Sequence, residues 1–255
     1  VVVVAVVARE ADVADMQKIN NQTPRILAAL LSYPQADLMA ALPEMTQLLQ
    51  AEGWLNNASL QAVTRFMNEL AVADLLDAQE MYVSLFDRTP SLSLHLFEHV
   101  HGDSRDRGQA LVDLDQIYRA QGLHNATEHT PDYLPMFLEY VALLPLAEAR
   151  AALDGVVEIL GALAQRLRNR QSSYADLLEA VTLLAARKPD PARLQASLLA
   201  DDGQMPDNER LDAAWGEQFA LAPPQQGSSA ADACPKAADM LARMHMDSSK
   251  TGAAT

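Results

Sequence analysis

Asp74-Leu75-Leu76-Asp77-Ala78-Gln79-Glu80-Met81-Tyr82-Val83-Ser84-Leu85-Phe86 decides the fold class. Its large apolar residues fall at 75, 76, 81, 82, 85 and 86, the three-and-four spacing of a helix face rather than the alternation of a strand. Asp74 or Asp77 can open this helix, and Glu80 three residues after Asp77 resembles a capping box. The same period recurs upstream. Thr23-Pro24 reads as N-cap and first helical residue, followed by the stripe Ile26, Leu27, Leu30 and Leu31, which stops near Tyr33-Pro34. Leu38, Leu42, Met45 and Leu49 carry a second helix, bent at Pro43 and interrupted by Gly53. Ser59 caps a third, with Val63, Phe66, Met67 and Leu70 on one face.

Downstream, Ser91 or Ser93 is expected to cap a helix holding Leu92, Leu96, Phe97 and Val100. Leu111, Leu114, Ile117 and Tyr118 mark another, ending at Gly122. Asp132 is expected to cap the next (Leu134, Leu138, Val141), before a long helix from about Ala147 to Arg168 and another from Ser173 to Arg187. Asp190-Pro191 opens a short last one ending near Ala200. The expected architecture is all-α: a flexible extension over 1–22, a single helical domain of about nine helices over 23–220, and a disordered Pro, Gln, Ser and Ala-rich tail over 221–255. Residues 1–15 differ in composition from the rest, so Met16 is expected to be the natural start.

Composition narrows the function. Of 255 residues 49% are hydrophobic, enough for a sizeable core, while glycine (10) and aromatics (5%) are too scarce for a sandwich or barrel. Nineteen basic against 34 acidic residues leave a net charge of −15, which repels nucleic acid and anionic membrane. Cys234 is the only cysteine, which excludes an intrachain disulfide and a CxxC pair. The apolar run Val1–Ala8 is far shorter than the roughly 20 residues of a membrane span. A cytoplasmic location is expected.

Two clusters concentrate the polar chemistry. In the first, His95-x-x-Glu98-His99 matches the inverted zinc-protease motif: on a helix the histidines lie one turn apart and Glu98 could act as base. Glu158 or Glu179 would have to supply the third ligand. The competing reading is a hydrogen-bonded hub, in which Arg105 and Arg107 pair with Glu98, Asp103, Asp106 and Asp113 while His99 and His101 bond neighbouring carbonyls. In the second cluster, Thr130 to Tyr140, Pro135 sits in the first turn after Asp132 and fixes the entry of the helix. Phe137 and Leu138 read as core, and Tyr133 and Glu139 are expected to reach solvent or a ligand. No GxSxG elbow, Walker A loop or GxGxxG is present.

Tyr82-Val83-Ser84-Leu85-Phe86-Asp87-Arg88, then Ser93-Leu94-His95-Leu96-Phe97-Glu98-His99-Val100-His101-Gly102-Asp103-Ser104-Arg105-Asp106-Arg107-Gly108-Gln109-Ala110, closely resembles the NarJ family of assembly chaperones of respiratory nitrate reductase. Pro131-Asp132-Tyr133-Leu134-Pro135 with Leu138-Glu139-Tyr140 matches that family's second motif, and the likeness covers about residues 25–220. His95 departs from the family pattern. The resemblance implies an all-helical, non-catalytic cytosolic protein with no cofactor or metal of its own. It implies as partners the apo catalytic (alpha) subunit of nitrate reductase, including its N-terminal segment, and the machinery that inserts its molybdenum cofactor before membrane docking. Carried onto this sequence, His99, His101, Arg105, Arg107, Asp132, Tyr133, Pro135, Glu139 and Tyr140 would border a client-peptide groove supported by Phe86 and Phe97. A zinc-dependent hydrolase and a helical scaffold without a client remain the alternatives.

Overall fold

In the computed structural model, which describes residues 6–8, 21–101, 106–125 and 127–199, the helical period becomes ten α-helices among the described residues. They are α1 (Gln22–Leu30), α2 (Ala36–Glu52), α3 (Asn57–Val72), α4 (Leu75–Tyr82), α5 (Glu98–His101), α6 (Asp106–Ala120), α7 (Leu134–Ala142), α8 (Leu146–Asn169), α9 (Tyr174–Leu184) and α10 (Pro191–Leu199). A π-helical turn, Val83–Asp87, continues α4, and a 3-10 turn covers Pro90–Leu92. Strand β1 (Val6–Ala8) pairs antiparallel with β2 (Leu123–Asn125).

Helix α7 is the axis of the core. Every one of its residues is buried, as a helix apolar on all sides requires. α1 packs against it, α8 against α9, and α9 against α3. Leu153, Val156, Leu160, Leu163 and Leu167 of α8 are without exposed surface and repeat at three and four. Among the described residues no helix is long and apolar enough to cross a membrane. Arg105, residues 201–220, the 221–255 tail and Cys234 lie outside the described residues.

Local expectations and observed caps differ in instructive ways. Thr23 is not the cap of α1. The Gln22 and Thr23 amides and the Thr23 hydroxyl donate to the Glu52 carboxylate at 2.8, 2.6 and 2.5 Å, so the last residue of α2 satisfies the start of α1. Asn56, not Ser59, caps α3, accepting from the Ser59 amide at 2.9 Å. Asp74, not Asp77, caps α4 through the Leu76 and Asp77 amides. Pro43 lies inside an uninterrupted α2, and Gly53 ends it at φ 71°, where a Cβ would be strained. The helix expected from Ser91 to Val100 shrinks to α5. The chain around His95 is instead extended and forms an isolated antiparallel bridge with Tyr133. α9 stops at Leu184, short of the expected Arg187, whose amide donates to Asp154 Oδ1 at 2.9 Å.

Candidate functional site

The two polar clusters, separated by α6 and β2 in sequence, meet in space. The Leu96 amide donates to the Asp132 carbonyl at 3.0 Å and the Leu134 amide to the Leu94 carbonyl at 2.8 Å. Asp132, with no exposed surface, does not cap α7 as expected. Its Oδ2 accepts from the Phe97 amide at 3.0 Å, and its Oδ1 accepts from the Thr130 hydroxyl at 2.5 Å and faces His95 Nδ1 at 3.3 Å. Burial pushes this carboxyl up, but the bonds from His95, Thr130 and Phe97 outweigh it and hold the group below its ordinary value. An ionised carboxylate thus binds the first motif to the second.

An aromatic column stands beside this carboxylate. His129 stacks on Tyr133 with centroids 4.1 Å apart and planes at 13°, and His95 lies 5.3 Å from the same ring. Asn125 builds the turn that presents His129, accepting from the Thr127 amide and donating to the His129 carbonyl. Burial, with His95 next to it, holds His129 below the usual imidazole value against the opposite pull of Asp87 and Glu128. The Tyr82 hydroxyl donates to the Leu31 carbonyl at 3.0 Å, so it must accept from the Tyr133 hydroxyl at 2.8 Å. Burial pushes Tyr133 up to about 12. Phe86 and Tyr174 close the column on the Tyr82 side, their rings 4.9 and 6.2 Å from it.

The expectation that Tyr133 and Glu139 reach solvent is therefore corrected: both are 6% exposed. Glu139 Oε2 lies 3.3 Å from Arg25 Nε of α1, an ion pair without hydrogen-bond alignment, and Glu139 Oε1 has no partner among the described residues. Burial pushes Glu139 up to about 7 in spite of Arg25. Pro135 is buried in the first turn of α7, and Tyr140 is buried with its ring 5.0 Å from Tyr118. Phe86 and Phe97 are core residues. At the half-exposed edge, Arg107 Nη2 donates to Glu98 at 2.9 Å and His99 Nε2 donates to the Ser93 carbonyl at 2.7 Å. α5 ends at His101, whose side chain, like Arg105, lies outside the described residues.

The zinc-protease geometry does not form. His95 precedes the helix that carries Glu98 and His99, and the two imidazoles bond different partners. Glu158 is taken by Arg187 and Glu179 by Arg168. Among the described residues no three His, Cys, Asp or Glu side chains are placed to hold a metal. Sequence reading missed Thr130, Tyr82 and Arg25 as members of this network. A Thr two residues before an Asp was the available signal for the first; the other two meet their partners only through tertiary packing.

Comparison with known proteins follows the same residues. The family model described as nitrate reductase delta subunit matches residues 35–180, more than half the chain. The nitrate reductase molybdenum cofactor assembly chaperone NarJ of Escherichia coli (strain K12) is 42% identical over 193 residues, covering 76% of this chain and 81% of that protein. The probable chaperone NarW of the same strain is 34% identical over 197 residues, with 77% and 82% covered. The probable NarJ of Bacillus subtilis (strain 168) is 32% identical over 160 residues, with 63% and 85% covered.

Proposed function

We propose, because the chain belongs to the nitrate reductase delta subunit family, that it is a dedicated assembly chaperone of respiratory nitrate reductase. The family is one of assembly chaperones and not of enzymes. The chain holds the apo catalytic subunit, including its N-terminal segment, in the cytoplasm until the molybdenum cofactor is in place. It then releases the subunit for membrane docking and is not retained.

The observation that supports this most directly is the carboxylate junction. Both family motifs converge on Asp132, whose carboxylate is spent inside the fold, on the Phe97 amide, the Thr130 hydroxyl and the His95 ring, rather than on facing a substrate. Asp132, Tyr133, Pro135 and Tyr140 act from inside, by fixing the path of the surface above them. Among the described members of the candidate set, His99 and Arg107 lie at the half-exposed edge, where they can touch a client directly, with Glu98 paired to Arg107 beside them. A surface of net charge −15 draws in a basic client segment.

The test is co-expression of the tagged full chain with the nitrate reductase catalytic subunit from the same source. Cofactor-free subunit is expected to co-purify with the chain, cofactor-loaded subunit to be absent, and removal of the client's first 15 or so residues to weaken capture. Equal capture of loaded and cofactor-free subunit would sink the chaperone reading.

A further inference from the structure

Helix α10 lies along α8 and is loosely seated there. Of residues 191–198 none is buried: Leu194, Ser197 and Leu198 are half-buried and the other five are exposed. Its points of attachment advance together along both helices. The Asp190 amide, at its start, faces Glu158 Oε1 at 3.5 Å. Leu194 lies over Gly161, its Cδ1 3.4 Å from where a Cβ would stand. Arg166 Nη2 donates to the Ser197 carbonyl at 2.9 Å. Ser197 is in the last turn of α10, where carbonyls have no amide of their own helix to accept from, so the guanidinium serves as a C-terminal cap. A short helix with so little buried surface belongs to the low-stability end of a fold.

The same guanidinium reaches a second element. Its Nη1 donates to the Ser91 carbonyl at 3.1 Å, in the 3-10 turn Pro90–Leu92, which itself packs against α8. The planar fork of Arg166 therefore holds α10 with one nitrogen and the turn with the other. That turn runs straight into the first motif. The Ser93 amide donates to the Pro90 carbonyl at 3.1 Å, and the Ser93 carbonyl is the acceptor on which His99 Nε2 is set at 2.7 Å. A continuous path of hydrogen bonds and short backbone thus joins the C-terminal end of α10 to the half-exposed edge at His99.

Resting on the chaperone reading above, we infer that Arg166 is a positioning residue for client capture, coupling the seating of α10 on α8 to the edge at His99. With α10 seated, Ser197 and Ser91 hold the guanidinium in one geometry, the 3-10 turn is fixed, and His99 is presented in one place. With α10 lifted, the fork loses one of its two anchors and the turn is less firmly held. Coupling of this kind is reciprocal: a client held at the edge steadies α10 by the same factor by which seated α10 tightens the client. α10 is the two-state element that both ends bias.

The probe is the cofactor-free catalytic subunit, captured by the tagged full chain. Tryptic cleavage of the Arg193–Leu194 bond in α10 is followed by mass spectrometry, without the subunit and with it at saturation. In wild type the subunit is expected to slow this cleavage at least about fivefold. Arg166→Met keeps an unbranched apolar stem and removes the fork. This variant, shown folded by circular dichroism and thermal midpoint, is expected to keep less than about twofold of the protection and to capture the subunit at least about fivefold more weakly. Leu194→Ser unseats α10 at a position that is not buried, so the core stays folded, and is expected to weaken capture to the same degree. Arg168→Met, on α8 with Asp176 and Glu179 as partners, is expected to stay within about twofold of wild type in both readouts. Equal cleavage with and without the subunit in wild type overturns the coupling. Protection retained in Arg166→Met shows the subunit covering α10 directly and also overturns it, as does full-strength capture by Leu194→Ser. These three outcomes leave the chaperone reading standing, because wild type still captures the subunit. Absence of capture by wild type is instead the failure of that reading, and overturns both.

Discussion

Glu139 is a carboxyl set in an otherwise apolar helix, with one oxygen on an arginine and the other on nothing described. Its folded value of about 7 lies above that of the unfolded chain, so the folded state binds the extra proton between about pH 4.5 and 7. Stability from this group is full below that window and declines as pH rises through it, by on the order of 2–3 kcal/mol. Glu139→Gln should flatten that decline, read as urea midpoints at pH 5 and pH 8; a wild-type slope retained in the variant would assign it to other groups. Asp132 has the opposite sign: its contribution is present above the ordinary carboxylate value and is lost as pH falls through its depressed one. Asp132→Ala strands the Phe97 amide in the core and should cost about 2–3 kcal/mol. For the same reason, alanine at Asp132 and Tyr133 reports on folding more than on docking. The residue identities were legible in sequence, since both clusters stood out as polar chemistry. Their direction was not: an Asp two residues before a helix reads as a local cap, and nothing local says that it turns to residue 97.

Among the elements, α1 is the clearest case of a helix whose start belongs to another helix. Glu52→Ala removes the acceptor of two amides and a hydroxyl and should destabilise the fold by about 1–2 kcal/mol; a loss as small as that of an exposed Glu elsewhere would remove the cap assignment. Gly161 allows a close crossing. A Cβ there would meet Pro189 at 3.0 Å and Leu194 at 3.4 Å, and a proline ring does not yield as a flexible chain end would. Gly161→Ala should lift α10 from α8 and speed tryptic cleavage after Arg193, despite alanine's better helix propensity. Unchanged cleavage would show that α10 adjusts in place. Helices with strong three-and-four stripes, α3, α8 and α9, were readable to within a few residues because burial of one face dominates them. α5 was overestimated because Leu92, Leu96 and Phe97 are apolar on helical spacing, yet the backbone between them pairs with the strand-like entry to α7. Spacing records which residues are buried and not which backbone partners compete for them.

For the whole molecule, the charge of −15 makes two opposed predictions. Added salt should raise the thermal midpoint of the free chain by relieving self-repulsion, and at the same salt should weaken capture of a basic client. A midpoint that falls with salt would show attractive ion pairs, such as Arg187 with Glu158, outweighing the net repulsion. All-helical architecture was legible throughout, because scarcity of glycine and β-branched residues acts on every segment at once; the meeting of the two motifs was not, because α6 and β2 intervene. That meeting has a topological consequence. The bonds from Leu96 to Asp132 and from Leu134 to Leu94 clasp the two ends of everything between them, so α5, α6 and β2 form a flap with adjacent hinges. Such a flap can open as one cooperative unit while α1, α3, α8 and α9 stay packed. In hydrogen exchange the Phe97 and Leu134 amides would then be released together, sooner than the heart of α8, and their shared rate would time how often the two motifs part.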